Sequence, residues 1–116
     1  MRRSVIIGTG SYIPETKISN KKFLNHVFFE KDGAKLYKSN TTVIKKFAEI
    51  TGITERRYAR NDQQASDLGF HAAQQAIKNA GIDQETLDYI IVAHNFGDVG
   101  TESNHVNMVP TLASKI

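Results

Sequence analysis

The run Tyr89-Ile90-Ile91-Val92-Ala93 is apolar at every position. A strand with one face in water alternates apolar and polar side chains, whereas an unbroken apolar strand is covered on both faces, as in an α/β layer structure. Such a strand needs neighbours on its edges and helices above and below it. The preceding residues predict one of those helices. ASDLGFHAAQQAIKNAG, 65–81, places Leu68, Ala72, Ala76 and Ile77 at helical spacing, offers Ser66 as an N-cap, and has Gly81 just past its end.

The remaining elements follow from the same signals. Arg3–Ile7 is a short β-branched run ended by Gly8 and predicts a strand. After Pro14, Ser19 or Asn20 caps a predicted helix with Phe23, Leu24, Val27 and Phe28 on one face. The polar, glycine-containing stretch 30–40 reads as a loop. TTVIKKFAEITG, 41–52, predicts a helix capped by Thr41 or Thr42, striped by Val43, Ile44, Phe47 and Ala48, and stopped at Gly52. ERRYA, 55–59, predicts a short strand, GDVGTES, 97–103, a loop, and NHVNMVPTLASKI, 104–116, a helix-like pattern with Pro110 near its first turn. Alternating strands and helices give a layered α/β class. The segment supplies few partners for strand 89–93, so we expect 1–116 to be one part of a larger folded unit.

Gly8-Thr-Gly10 after a strand raises the question of a dinucleotide site, which needs a third glycine and a helix start. Position 13 is Ile13, Pro14 follows, and no helix is predicted before Ser19. A sharp turn is the simpler reading, because glycine lets the backbone bend there. The sequence has no cysteine, which excludes disulfides, thiolate metal sites and a cysteine nucleophile from these residues. His94, Asp98, Glu102 and His105 share one loop but lack the paired spacing of a zinc site, so no metal is expected. The net charge of +3 is spread out, without aromatics interleaved as on a nucleic-acid stacking surface. No apolar run approaches the length of a membrane span, and the run after Arg2 and Arg3 is too short for a secretory signal. Expectations are therefore a soluble cytoplasmic protein with neither a nucleic-acid nor a membrane partner.

Four pieces in fixed order carry a family resemblance: IIGTGSYIPE at 6–15, TGITERR at 51–57, GFHAAQQAIKNAGI at 69–82 and DYIIVAH at 88–94. Together they resemble the N-terminal portion of a 3-oxoacyl-acyl-carrier-protein synthase III (beta-ketoacyl-ACP synthase III), a condensing enzyme of the thiolase superfamily. The loop at 30–40 has no place in that pattern. The resemblance implies a thiolase-like fold, with this chain as the N-terminal part of the first layered α-β-α half-domain, and a homodimer. It implies an acyltransferase of fatty-acid-type biosynthesis that joins an acyl group from coenzyme A, or from a carrier protein, to malonyl-acyl-carrier protein with loss of carbon dioxide. No cofactor is implied beyond the coenzyme A thioester used as substrate. The family's nucleophile is a cysteine at a buried helix N-terminus, assisted by a histidine and an asparagine. None has a counterpart in these residues, so no catalytic residue is expected here and the segment alone is expected to be inactive.

Substrate-binding expectations follow from the same resemblance. The family often places a tryptophan and an arginine before TGI, where they meet coenzyme A; those positions hold Lys46 and Ile50. Adenine stacking is thereby lost, while Lys46 still attracts a phosphate as a point charge. Thr42 falls where a nearby polar contact is implied. Arg56 and Arg57 flank the implied donor-channel entrance, and Arg57 is taken as the binding residue. Asn95 and Phe96 fall at the implied channel wall and dimer contact, with Asn95 taken as the site residue. The alternatives are a stand-alone thiolase-like binding or dimerisation module, and another superfamily synthase.

Overall fold

The computed structural model describes residues 3–99 and 105–116. They form two compact units. One comprises the described residues of Met1–Pro14 and Ala59–Ile116; the other is Glu15–Tyr58. Val43 (7% exposed) in the smaller unit and Leu112 (6% exposed) in the larger are the deepest apolar side chains among the described residues. Helix and strand are mixed, as the α/β class requires at its coarsest, but the two hydrogen-bonded strands run antiparallel.

In the smaller unit β1 (Thr16–Ser19) pairs with β2 (Glu55–Tyr58), with Thr16 opposite Tyr58 and Ser19 opposite Glu55. Helix α1 spans Asn40–Thr51 and ends at Gly52, whose φ of 67° is the left-handed conformation that glycine adopts without strain. Its cap is Ser39, not Thr41 or Thr42. Ser39 is extended and its Oγ accepts from the Thr42 backbone N–H, while the two hydroxyls meet at 2.7 Å. The helix expected over 20–28 is a 3-10 helix, Asn20–Asn25. Asn40 explains where it stops. Its Nδ2 donates to the carbonyls of Leu24 and His26, both at 2.7 Å, and so occupies acceptors that a continuing helix needs.

The larger unit is organised on α2, Ala65–Ala80, which ends at Gly81 as predicted. The N-cap is Gln64 rather than Ser66. Gln64 and Asp67 form a reciprocal capping box, with the Gln64 N–H 2.7 Å from Asp67 Oδ2. The two opening glycines pack against this helix. A Cβ on Gly8 would lie 2.6 Å from the Ala76 carbonyl oxygen, and one on Gly10 would run into the backbone of Ala72 and Ala76. The Thr9 N–H between them donates to Asn79 Oδ1 at 3.1 Å. Gly-Thr-Gly is thus a close-approach surface for α2.

Three sequence expectations fail here. Arg3–Ile7 and Tyr89–Ala93 form no ladder, and Ile6 and Ile91 are 84% and 92% exposed. Apolar β-branched residues make a strand only when an edge is available for their N–H and C=O groups, and β1 and β2 pair with each other in the other unit. The helix-like pattern over 104–116 reduces to a 3-10 turn, Leu112–Ser114. Pro110 has no N–H to donate, and the turn starts only after it. The loop residues 100–103, including Glu102, and Asn104 lie outside the described residues.

Asp98 is 2% exposed and fully bonded: it accepts from the Ser66 N–H at 2.9 Å, Ser66 Oγ at 2.8 Å and Lys115 Nζ at 2.6 Å. One carboxylate thereby joins the first turn of α2, the segment after Asn95 and the turn at Leu112–Ser114. Burial pushes its pKa up, but the hydrogen bonds from Lys115 and Ser66 outweigh this and hold it below the ordinary carboxylate value. A carboxyl with a lower pKa folded than unfolded stabilises the fold above its unfolded pKa, and that stability fades as pH falls through the folded value.

Unfolding of three variants tests these contacts. Asp98→Asn should cost about 1–3 kcal/mol at pH 7, because the amide cannot satisfy Ser66 and Lys115 together. The wild-type denaturation midpoint should fall below about pH 4, and the Asp98→Asn midpoint should not track it there. Asp62→Asn, at an exposed carboxylate paired with Arg60, should leave the midpoint unchanged. Gly10→Ala should cost about 1–3 kcal/mol by overpacking against α2, read as a lower melting temperature.

Candidate functional site

Alternation along β2 decides what each of its side chains can do. Arg56 and Tyr58 point to one face of the strand, and Glu55 and Arg57 to the other. On the first face Arg56 and Tyr58 border a cleft of about 240 Å³ walled by Phe23, Phe28, Ile44 and Phe47. The Phe28 and Phe47 rings meet edge to face, with centroids 5.9 Å apart. The Arg56 guanidinium lies 5.5 Å from the Phe23 ring centroid and donates to Asn20 Oδ1 at 2.7 Å. Asn20 in turn donates through Nδ2 to the Ile53 carbonyl at 2.7 Å. The result is an apolar hollow with one oriented cation and one amide at its rim.

On the second face Glu55 lies between two cations, 3.7 Å from Lys17 Nζ and 3.7 Å from Arg57 Nε. Arg57, the residue singled out from the sequence, is therefore already engaged. Arg56 is the more sheltered and more tightly placed of the two. The strand period of two contained that distinction, since it puts one arginine with Tyr58 and the other with Glu55.

The other expected binding residues divide between the units. Thr42 and Lys46 are four apart on α1 and so share an exposed side of that helix. The Thr42 hydroxyl is committed to Ser39. Lys45 pairs with Glu49 at 3.9 Å, while Lys46 makes no ion pair among the described residues. Asn95 belongs to the larger unit, where it borders a depression of about 320 Å³ with Phe96, Val106, Met108 and Leu112. The structure thus brings Thr42 and Lys46 together on one helix and places Asn95 in the other unit. Among the described residues no three His, Cys, Asp or Glu side chains gather as a metal site. The arrangement can hold an apolar group with an anionic end at the Arg56 rim, and Lys46 offers a solvent-facing positive charge.

Arg56→Ala should destabilise the smaller unit by about 1 kcal/mol, since it removes a stacked cation and leaves Asn20 Oδ1 without its donor. Arg57→Ala should cost clearly less. Chemical denaturation of the two variants checks the order, and equal losses would contradict the assignment of faces.

No family model matches the chain. Curated proteins do. The chain is 40% identical over 94 residues to beta-ketoacyl-(acyl-carrier-protein) synthase III 1 of Vibrio vulnificus, covering 81% of this chain and 26% of that protein. It is 36% identical over 99 residues to beta-ketoacyl-(acyl-carrier-protein) synthase III of Paracoccus denitrificans, covering 85% and 27%. It is 39% identical over 94 residues to the protein of that name from Staphylococcus haemolyticus, covering 81% and 26%. The resemblance read from the four motifs is borne out. The chain spans about a quarter of the length of the curated relatives it matches.

Proposed function

We propose that this chain is the N-terminal portion of a beta-ketoacyl-acyl-carrier-protein synthase III, working within a longer polypeptide that condenses an acyl thioester with malonyl-acyl-carrier protein. The single observation that carries this reading is the 40% identity over 94 residues to a protein of that name. The chemistry is consistent with a division of labour along the polypeptide. Condensation needs a thiolate nucleophile, and this sequence contains no cysteine. The segment then acts as scaffold and as one wall of the donor site, with catalysis supplied by residues outside it.

In this account the apolar runs 3–7 and 89–93 become strands of a thiolase-like, layered α-β-α half-domain, which supplies the edges they lack here. The full protein works as a soluble, cytoplasmic homodimer, with coenzyme A thioester as substrate and no resident cofactor. Lys46 attracts a phosphate of the donor as a point charge. Thr42 contributes by holding the start of α1, Arg57 lines the donor entrance beside Glu55, and Asn95 lines the channel wall. Ile50, 76% exposed on α1, offers no charge to the donor. That favours an acyl donor held by fewer phosphate contacts than acetyl-coenzyme A usually receives, including one delivered on a carrier protein.

The test is the full-length synthase assayed for 3-oxoacyl product from acyl-coenzyme A, or acyl-carrier protein, and malonyl-carrier protein. Product should form, and Lys46→Glu should raise KM for the phosphate-bearing donor about 5–10-fold with little change in kcat, a loss of about 1 kcal/mol in ground-state binding. No product with any thioester donor would overturn the assignment. An unchanged KM would remove Lys46 from the donor site.

A further inference from the structure

The guanidinium of Arg56 is oriented but not neutralised. It donates to Asn20 Oδ1 at 2.7 Å, and its central carbon lies 5.5 Å from the Phe23 ring centroid. Asn20 is itself anchored. Its Nδ2 donates to the Ile53 carbonyl at 2.7 Å, and its backbone N–H donates to the Thr54 carbonyl at 3.1 Å. Arg56 makes no ion pair among the described residues. The adjacent carboxylate, Glu55, is turned to the opposite face of β2, where it meets Lys17 and Arg57. A guanidinium carries five N–H donors in a fixed planar fork, so most of those on Arg56 are open to a ligand.

The hollow beside this cation has a size and a lining that suit one kind of molecule. It measures about 240 Å³. An apolar cavity of roughly 150 Å³ already accepts a benzene molecule, so this one has room for a ring and a short arm. Phe23, Phe28, Phe47 and Tyr58 make most of its wall aromatic. Phe23, Phe28 and Ile44 are half-buried and Phe47 is exposed, so these side chains line the space without filling it. The edge-to-face pair of Phe28 and Phe47 offers ring edges and faces to a further aromatic ring. A flexible alkyl chain gains nothing from that geometry and loses more conformational freedom on binding.

We propose that this cleft is a binding site for a small aromatic monocarboxylate, a single ring with a short acidic arm. The ring sits among Phe23, Phe28, Ile44 and Phe47, and the carboxylate takes a bidentate pair of hydrogen bonds from Arg56. All of these residues belong to the Glu15–Tyr58 unit. The site lies across α1 from the donor residues: at about 100° per residue, Ile44 and Phe47 face away from Thr42 and Lys46. It therefore does not rest on the condensing activity. A bound carboxylate ties α1 and the 3-10 helix to β2 and stabilises the unit by mass action.

The test titrates phenylacetate into the 116-residue chain and follows aromatic and methyl signals by NMR. Saturable shifts are expected at Phe23, Phe28, Ile44 and Phe47, with a Kd of about 1 mM. Phenylacetamide, which has the same shape without the charge, should bind about tenfold more weakly, and Arg56→Gln should weaken phenylacetate by about the same factor. Ile44→Trp fills the hollow while keeping Arg56, and should abolish binding. The acid and the amide are compared on the wild-type chain, so that arm holds if a variant fails to fold. Shifts centred outside the cleft, no saturation by about 20 mM, equal affinity for acid and amide, unchanged binding by Ile44→Trp, or tighter binding of hexanoate than of phenylacetate would each overturn the proposal. No thioester is present, so these outcomes are separate from those of the synthase assay.

Discussion

A single buried carboxylate does for the larger unit what a hydrophobic core does for most domains. Asp98 accepts three hydrogen bonds from two residues far away in sequence, 32 positions before it and 17 after it. Leu112 is the deepest apolar side chain described in that unit. A buried charge is tolerated only when it is fully bonded, and its directional bonds fix one arrangement of the pieces it joins. The start of α2, the segment beyond Asn95 and the 3-10 turn at Leu112–Ser114 are therefore placed by polar geometry more than by packing. The smaller unit uses the same device at lower cost. Asn20 and Asn40 spend their amides on backbone carbonyls and on Arg56, and the aromatic cluster of Phe28 and Phe47 fills in behind them.

Elements whose signals are local were legible in the sequence. Both α-helices carry their apolar stripe, and their C-terminal glycines, Gly52 and Gly81, take the left-handed conformation that such positions demand. ERRY was readable as a strand because its partner lies within the same unit. What failed depends on distant groups. Ser66 looks like a cap, but its hydroxyl and N–H are claimed by Asp98 across 32 residues, and the capping passes to Gln64. The runs 3–7 and 89–93 have every compositional mark of strands, yet a strand is a pairing, and composition says nothing about whether the partner is present. Gly8 and Gly10 announce a sharp bend after an apolar run, but their use against α2 depends on an approach no local pattern specifies.

The candidate site shows the same division. Lys46 and Thr42 share a side of α1 because helical spacing requires it, and that much was readable. Which arginine of the Arg56–Arg57 pair borders the cleft follows from strand alternation, a signal present in the sequence. The Thr42 hydroxyl was assigned to a ligand and is bonded to Ser39, since a hydroxyl at a helix start finds the cap before it finds anything else. A functional residue taken from a motif thus has to be checked against the local hydrogen bonds that compete for it.

We propose that these residues serve as scaffold within a longer polypeptide, in which the exposed apolar runs 3–7 and 89–93 become paired strands. Amide hydrogen exchange on residues 89–93 tests it most directly, measured in the 116-residue chain and in the full-length synthase. The account predicts free exchange in the former and slowing by about three orders of magnitude or more in the latter, as ladder hydrogen bonds close over Tyr89–Ala93. Equally rapid exchange in both would contradict it.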